Sequence, residues 1–220
     1  MGFLLGGGTS IHDRESLLGV LLWMIVIFVS ILIHEFGHAM TSRKFSGVQP
    51  KIKLWGMGGL AYPNTTLSRK DTFWMVLAGP MAGIGFFVVI TFFCMYQYGS
   101  IAGFGVVKYM ISSKFSVDHE TAVAFSTTHW ATFHLLHSLV AFNFWWSLVN
   151  LLPVHPLDGG QIYATFEKSK LKVHQVGAIT GTATAIIGWI IFQDWWVAIL
   201  FGILAYLNYQ KFQQLKNPWK

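Results

Sequence analysis

The sequence predicts an all-α polytopic membrane protein with about five transmembrane helices. Two observations predict it. Of the 220 residues, 54% fall in the hydrophobic set and only 11% are charged, against roughly 25% charged in soluble domains. The apolar residues are also gathered into long stretches, and a hydrocarbon core of about 30 Å needs about 20 of them in a helix. A soluble fold of this length would be one domain or two and could not easily keep so much apolar surface from water. With lipid as the solvent the difficulty disappears.

The stretches follow in order. The first runs from about Leu17 to Met40, the second from about Phe73 to Tyr98, and the third from about Leu135 to Leu152. The fourth runs from about Val176 to Phe192 and the fifth from about Trp195 to Tyr209. The last two are short, and Gln193 and Asp194 alone clearly separate them. They form either one irregular unit or a tight helical hairpin, and the hairpin is the reading adopted. Residues 99–130 read as an external or partly inserted loop. There is no internal repeat and no appended soluble domain, so 1–220 reads as a single transmembrane domain.

The N-terminus is not a clear secretory signal. Its first basic residue, Arg14, follows an apolar, Gly-rich start, whereas a signal carries its positive charge first. The single cysteine, Cys94, excludes an internal disulfide and a Cys-based zinc knuckle. The net charge of +6 is better explained by basic cytoplasmic loops than by nucleic acid. If five spans alternate, Arg43, Lys44, Lys51, Lys53, Arg69 and Lys70 share a side with the lysines at 168, 170, 172, 211, 216 and 220. Only Arg14, Lys108 and Lys114 fall opposite. The positive-inside bias then puts the C-terminal tail in the cytoplasm and the N-terminus outside.

The first span ends in His34-Glu35-Phe36-Gly37-His38, an H-E-x-x-H motif. Residues four apart share a helical face, so both imidazoles can reach one metal. Glu35 stands beside them, placed to take a proton from a water activated there. Zinc is the natural metal, because two His nitrogens and one carboxylate leave a fourth position open. Ionisable groups inside a membrane helix cost several kcal/mol and mark function by default. Arg43 lies five residues beyond His38, about 7.5 Å along a helix. The metal is therefore expected below the cytoplasmic surface and not at mid-membrane.

A third ligand must come from elsewhere. The third span runs into Asn150-Leu151-Leu152-Pro153-Val154-His155-Pro156-Leu157-Asp158-Gly159-Gly160. The prolines remove backbone donors and end the helix, and broken backbone near a membrane is tolerated where it lines a protein cavity. Asp158 then starts a short helix and offers a carboxylate. Taken alone, it reads equally well as an ordinary N-cap.

Together the two segments resemble the site-2 protease family of intramembrane metalloproteases. That family carries H-E-x-x-H on one transmembrane helix and N-x-x-P-x-x-x-x-D-G on a later one. His34, Glu35 and His38 match the first pattern; Asn150, Pro153, Asp158 and Gly159 match the second, in the right order and with a span between. The resemblance implies a zinc ion held by His34, His38 and Asp158, with Glu35 as catalytic base. It also implies a role for Asn150 in positioning substrate or oxyanion, and it covers a three-helix catalytic core over about 17–165; the two further spans, about 176–209, lie outside it. Lys51 to Tyr62, strand-forming residues around a glycine cluster, looks like the family's short re-entrant β-hairpin or is a plain amphipathic connection. As a hairpin its edge could receive an extended substrate. Leu77-Ala78-Gly79-Pro80 with Gly83 and Gly85 resembles the family's small-residue motif, and G-x-x-x-G lets helices approach closely.

The implied activity is zinc-dependent hydrolysis of peptide bonds in membrane-protein substrates, within or near the bilayer. The alternative is a catalytically silent membrane scaffold or regulator of the same fold. Expected partners are a transmembrane substrate and the lipid bilayer, with a membrane regulator or a second copy left open. The cell membrane is the expected location, with the active site toward the cytoplasm. His129, His134 and His137 read as interfacial polar residues, with a second metal site as the competing reading. His155 is left out of the ligand set. A histidine-rich di-iron oxygenase would need further boxes on one membrane side, and a transporter finds no support beyond the spans.

Overall fold

The computed structural model describes residues 14–48, 51–55, 58–62, 67–111, 118–190 and 193–217. The Gly-rich start of the chain, Gly56 and Met57 of the glycine cluster, Lys114, Phe192 and Lys220 lie outside the described residues. Among those described are eight helices and two strands: α1 Arg14–Ser46, β1 Lys51–Trp55, β2 Gly58–Tyr62, α2 Arg69–Tyr98 and α3 Ser100–Ile111, then α4 His119–Thr127, α5 Trp130–Asn150, α6 Asp158–Phe166, α7 Lys170–Ile190 and α8 Trp195–Lys216. The strands pair in a two-stranded sheet.

Two helices, over Leu17–Ser46 and Arg69–Tyr98, are long and apolar enough to cross a membrane. Leu21, Met24, Phe28 and Met40 of α1, with Val89 and Phe92 of α2, are exposed. α1 buries polar residues, Ser30, His34, Glu35, His38 and Ser42, beside apolar Trp23, Val26 and Ala39. The third to fifth expected spans correspond to α5, α7 and α8, of 21, 21 and 22 residues. Polar residues are spread along them, among them His134, His137 and Asn143 in α5 and Lys170, Lys172 and His174 in α7.

α1 continues past the expected end at Met40 because Arg43 and Lys44 in its last turn suit the negative end of the helix dipole. Gly47 stops it: φ is +69°, its N–H returns to the Arg43 carbonyl at 2.9 Å, and a side chain would resist that backbone. The stretch 99–130, expected as loop, contains α3 and α4. α4 is capped by Asp118, whose carboxylate accepts the Thr121 N–H at 2.7 Å.

The residues fall into two compact units. One holds the described residues of Met1–Gly37, Ile52–Ala61 and Met81–Ser147. Its apolar core gathers Ile90 and Cys94 of α2, Val106 and Met110 of α3, Ala124 of α4 and Val140 of α5. Gly103 lets α3 fold back on α2, since a Cβ there would lie 2.5 Å from the Cys94 carbonyl oxygen. Asn143 of α5 donates to Ser30 Oγ of α1 at 2.9 Å, a buried polar link. Gly83 packs directly on Ser147.

The other unit holds the described residues of His38–Lys51, Tyr62–Pro80 and Leu148–Lys220. Here α7 and α8 form an antiparallel pair, with Gly177 against Asn208, Gly181 against Ala205 and Gly188 against Val197. Asp194 caps α8 by accepting the Trp196 and Val197 amides. Phe73 of α2 meets Phe166 of α6 edge-on, centroids 5.4 Å apart.

Candidate metal centre

α1 brings His34, Glu35 and His38 together by helical periodicity alone. All three are buried, at 4%, 4% and 8% exposure. One ligand atom from each lies within 4.8 Å of the other two. Among the described residues this is the group of three or more side chains able to hold a metal ion. His134 and His137 are not drawn into such a group. Their rings pack on aromatics: His134 on Trp130 at 4.5 Å between centroids, and His137 stacked on Phe133 at 6.0 Å.

After α5 the chain turns through Pro153 and Pro156. Leu157 is the cap residue of α6, and Asp158 is its first helical residue. The N-cap reading of Asp158 therefore does not hold. A carboxylate in the first turn is favoured by the positive end of the helix dipole, and this one is buried at 7% exposure. The two glycines that follow let the loop fold tightly. A Cβ at Gly159 would run into the Leu151 carbonyl, and one at Gly160 would lie 2.6 Å from the His155 nitrogen.

The turn delivers Asp158 to His38, with Oδ2 3.4 Å from Nε2. The other ring nitrogen of His38, Nδ1, lies 2.9 Å from the Met75 carbonyl oxygen of α2. A carbonyl can only accept, so Nδ1 carries the proton and donates. In the neutral ring Nε2 then presents a lone pair toward the carboxylate. With the ring neutral, a bridging cation would suit the two facing atoms; with a second ring proton the contact is an ion pair. At 3.4 Å they are too far apart for a good hydrogen bond. Tetrahedral zinc with bonds of 2.0–2.1 Å sets its ligand atoms roughly 3.3 Å apart. A ligating His that donates its second N–H to a carbonyl is also the usual outer support of a zinc site. The imidazoles of the group and the Asp158 carboxylate beside His38 are donor types that zinc takes.

Asn150 is buried as the last residue of α5, where the loop begins. The side chain of His155 is exposed and faces His174, ring centroids 5.4 Å apart. Sequence reasoning missed the Met75 carbonyl, because a backbone acceptor leaves no mark in composition or spacing.

Residues 22–191 match the profile of Peptidase family M50. A zinc metalloprotease of Methanocaldococcus jannaschii is 25% identical over 201 residues, covering 90% of this chain and 47% of that protein. The Mycobacterium tuberculosis protein Rip3 is 24% identical over 143 residues, covering 64% of this chain and 30% of Rip3. The chain thus spans about half the length, or less, of these relatives. Among solved structures, the site-2 protease from M. jannaschii superposes with a TM-score of 0.54 at 19% identity, covering 96% of this chain and 88% of that one. At that identity the likeness speaks for the fold.

Proposed function

Because the chain belongs to peptidase family M50, we propose that it is a membrane zinc metalloprotease that hydrolyses peptide bonds of membrane-protein substrates within or near the bilayer. His34, His38 and Asp158 are the proposed zinc ligands and Glu35 the general base. The observation that carries the reading is the approach of the Asp158 carboxylate to His38 Nε2, beside His34 and Glu35.

Zinc, when bound, supplies Lewis acidity for water and for the scissile carbonyl. The rest falls to the chain. Glu35 takes a proton from the attacking water and returns it to the leaving amine nitrogen, which splits the peptide into an acid and an amine. Asn150 positions the substrate or the developing oxyanion. β1 and β2 offer a re-entrant edge for a substrate segment that must leave its helix before its carbonyl can be attacked. Met75 holds His38 in the ligating tautomer.

The membrane arrangement belongs to the same reading. Five spans, α1, α2, α5, α7 and α8, act as one domain with a core over about 17–165, and the active site faces the basic, cytoplasmic side. A membrane regulator or a second copy of the chain would supply substrate selection. The competing reading is a silent scaffold of the same fold; the presence of Glu35 beside the ligand set favours an enzyme.

The test compares membrane proteomes of cells carrying the wild-type and Glu35→Gln proteins. The amide removes the base and leaves the metal ligands, so membrane proteins cleaved in the wild-type should persist uncut in the variant, with zinc content unchanged. Equal cleavage by both would reject the role of Glu35. No zinc and no cleavage in either would favour the scaffold.

A further inference from the structure

The loop that presents Asp158 has few means of its own to hold its shape. Its prolines supply no N–H donors, and its internal bonds are short turns, Val154 to Leu152 at 2.7 Å and Leu157 to Val154 at 2.8 Å. Gln161 Nε2 of α6 donates to the Pro156 carbonyl at 3.1 Å, and a second seat comes from α8. Val154, fully buried, packs with Phe201 and Leu204. One turn further on the same face stands Asn208, at 2% exposure.

The Asn208 amide is bonded through both its nitrogen and its oxygen. Nδ2 donates to the His155 carbonyl at 2.6 Å and to the Leu204 carbonyl at 2.8 Å. Oδ1 accepts from His174 Nδ1 of α7 at 3.0 Å. Gly177 of α7 makes room, since a Cβ there would lie 2.5 Å from Asn208 Oδ1, and the three atoms nearest to it all belong to Asn208. A leucine would serve helix packing at less cost than a buried amide. The amide's distinct product is the bond to the His155 carbonyl, three residues before Asp158.

We propose that Asn208 is a positioning residue of the metal centre. By holding the His155 carbonyl it fixes the loop so that the Asp158 carboxylate stays turned toward His38. The α7–α8 pair, which neither sequence motif includes, is then a working part of the zinc site. The proposal rests on Asp158 being a zinc ligand.

The test uses the full chain, zinc-loaded in detergent. Transfer of zinc to a competing chelator is measured beside thermal unfolding of the zinc-free protein. Asn208→Leu should weaken zinc retention about 10-fold, the lower end of what outer partners of a metal site contribute, with zinc-free unfolding little changed. Gly177→Ala, whose methyl meets Asn208, should weaken retention in the wild-type background and add nothing in an Asn208→Ala background. That pairing also decides the matter if Asn208→Leu does not fold. Wild-type retention in Asn208→Leu and Gly177→Ala would overturn the proposal. So would a loss of retention that merely tracks lost stability of the zinc-free protein. A wild-type chain that takes up no zinc would instead overturn the metalloprotease reading, and the proposal with it.

Discussion

Asp158 Oδ2 lies 3.4 Å from His38 Nε2, and the two residues come from segments with a whole membrane-length helix between them in the sequence. The other ring nitrogen of His38 donates to the Met75 carbonyl, which turns Nε2 toward the carboxylate.

Asp158→Asn tests that pairing. The amide removes the charge and one good ligand oxygen. Zinc affinity should fall by more than the roughly 10–100-fold typical of outer partners, and peptide cleavage should fall with it. Metal content after dialysis against a chelator checks this. Unchanged content would take Asp158 out of the ligand set.

The glycine after Asp158 should be intolerant. A methyl at Gly159 meets the Leu151 carbonyl, so Gly159→Ala should cost about 1–3 kcal/mol through overpacking. Gly85 on α2 faces open space, and Gly85→Ala should be neutral or stabilise by up to roughly 1 kcal/mol. Unfolding in detergent measures both. Equal effects would show that the loop yields more easily than its contacts imply.

The Ser30–Asn143 bond joins α1 to α5 one turn before His34. Both groups are buried, at 1% exposure each. A double-mutant cycle with Ser30→Ala and Asn143→Leu should give a coupling of about 0.6–1.7 kcal/mol, the span seen for polar pairs in membrane proteins. Strict additivity would mean that the bond does not hold the helices together.

Acid should loosen α4. The Thr121 amide, more than any other neighbour, holds the Asp118 carboxyl below the ordinary aspartate range, with Lys108 and His119 adding smaller effects. A carboxyl depressed in the folded state contributes stability above its unfolded value, and that stability is lost as pH falls through the folded one. Hydrogen exchange at the Thr121 amide should therefore lose protection as pH drops below about 4. Asp118→Ala should show weak protection and little pH dependence in the same range. Protection that holds to low pH in the wild-type would remove the cap's role.

How much of this could be read without coordinates depended on the length scale of each interaction. His34, Glu35 and His38 meet because 3.6 residues make a turn, so the sequence alone determined that cluster. It also determined the two long apolar helices, since length and hydropathy need no partner. The proposed third ligand, the start of a short helix at Asp158 and the close-packing glycines were visible as a motif. Its residue types did not decide whether Asp158 caps the helix or turns inward. That depended on where Pro153 and Pro156 steer the backbone and on what receives it.

Other features were decided by tertiary structure alone. α3 and α4 lay in the stretch that seemed shapeless, because short helices take much of their stability from packing, here against Ile90, Cys94 and Val140. The Met75 carbonyl and the Asn208 amide were invisible for a related reason. A backbone acceptor is the same in every residue, and an asparagine gains a role only from what folds against it. Periodicity and polarity act along the chain and can be read there; the proton on His38 and the seat of the Asp158 loop are set by neighbours that only folding supplies.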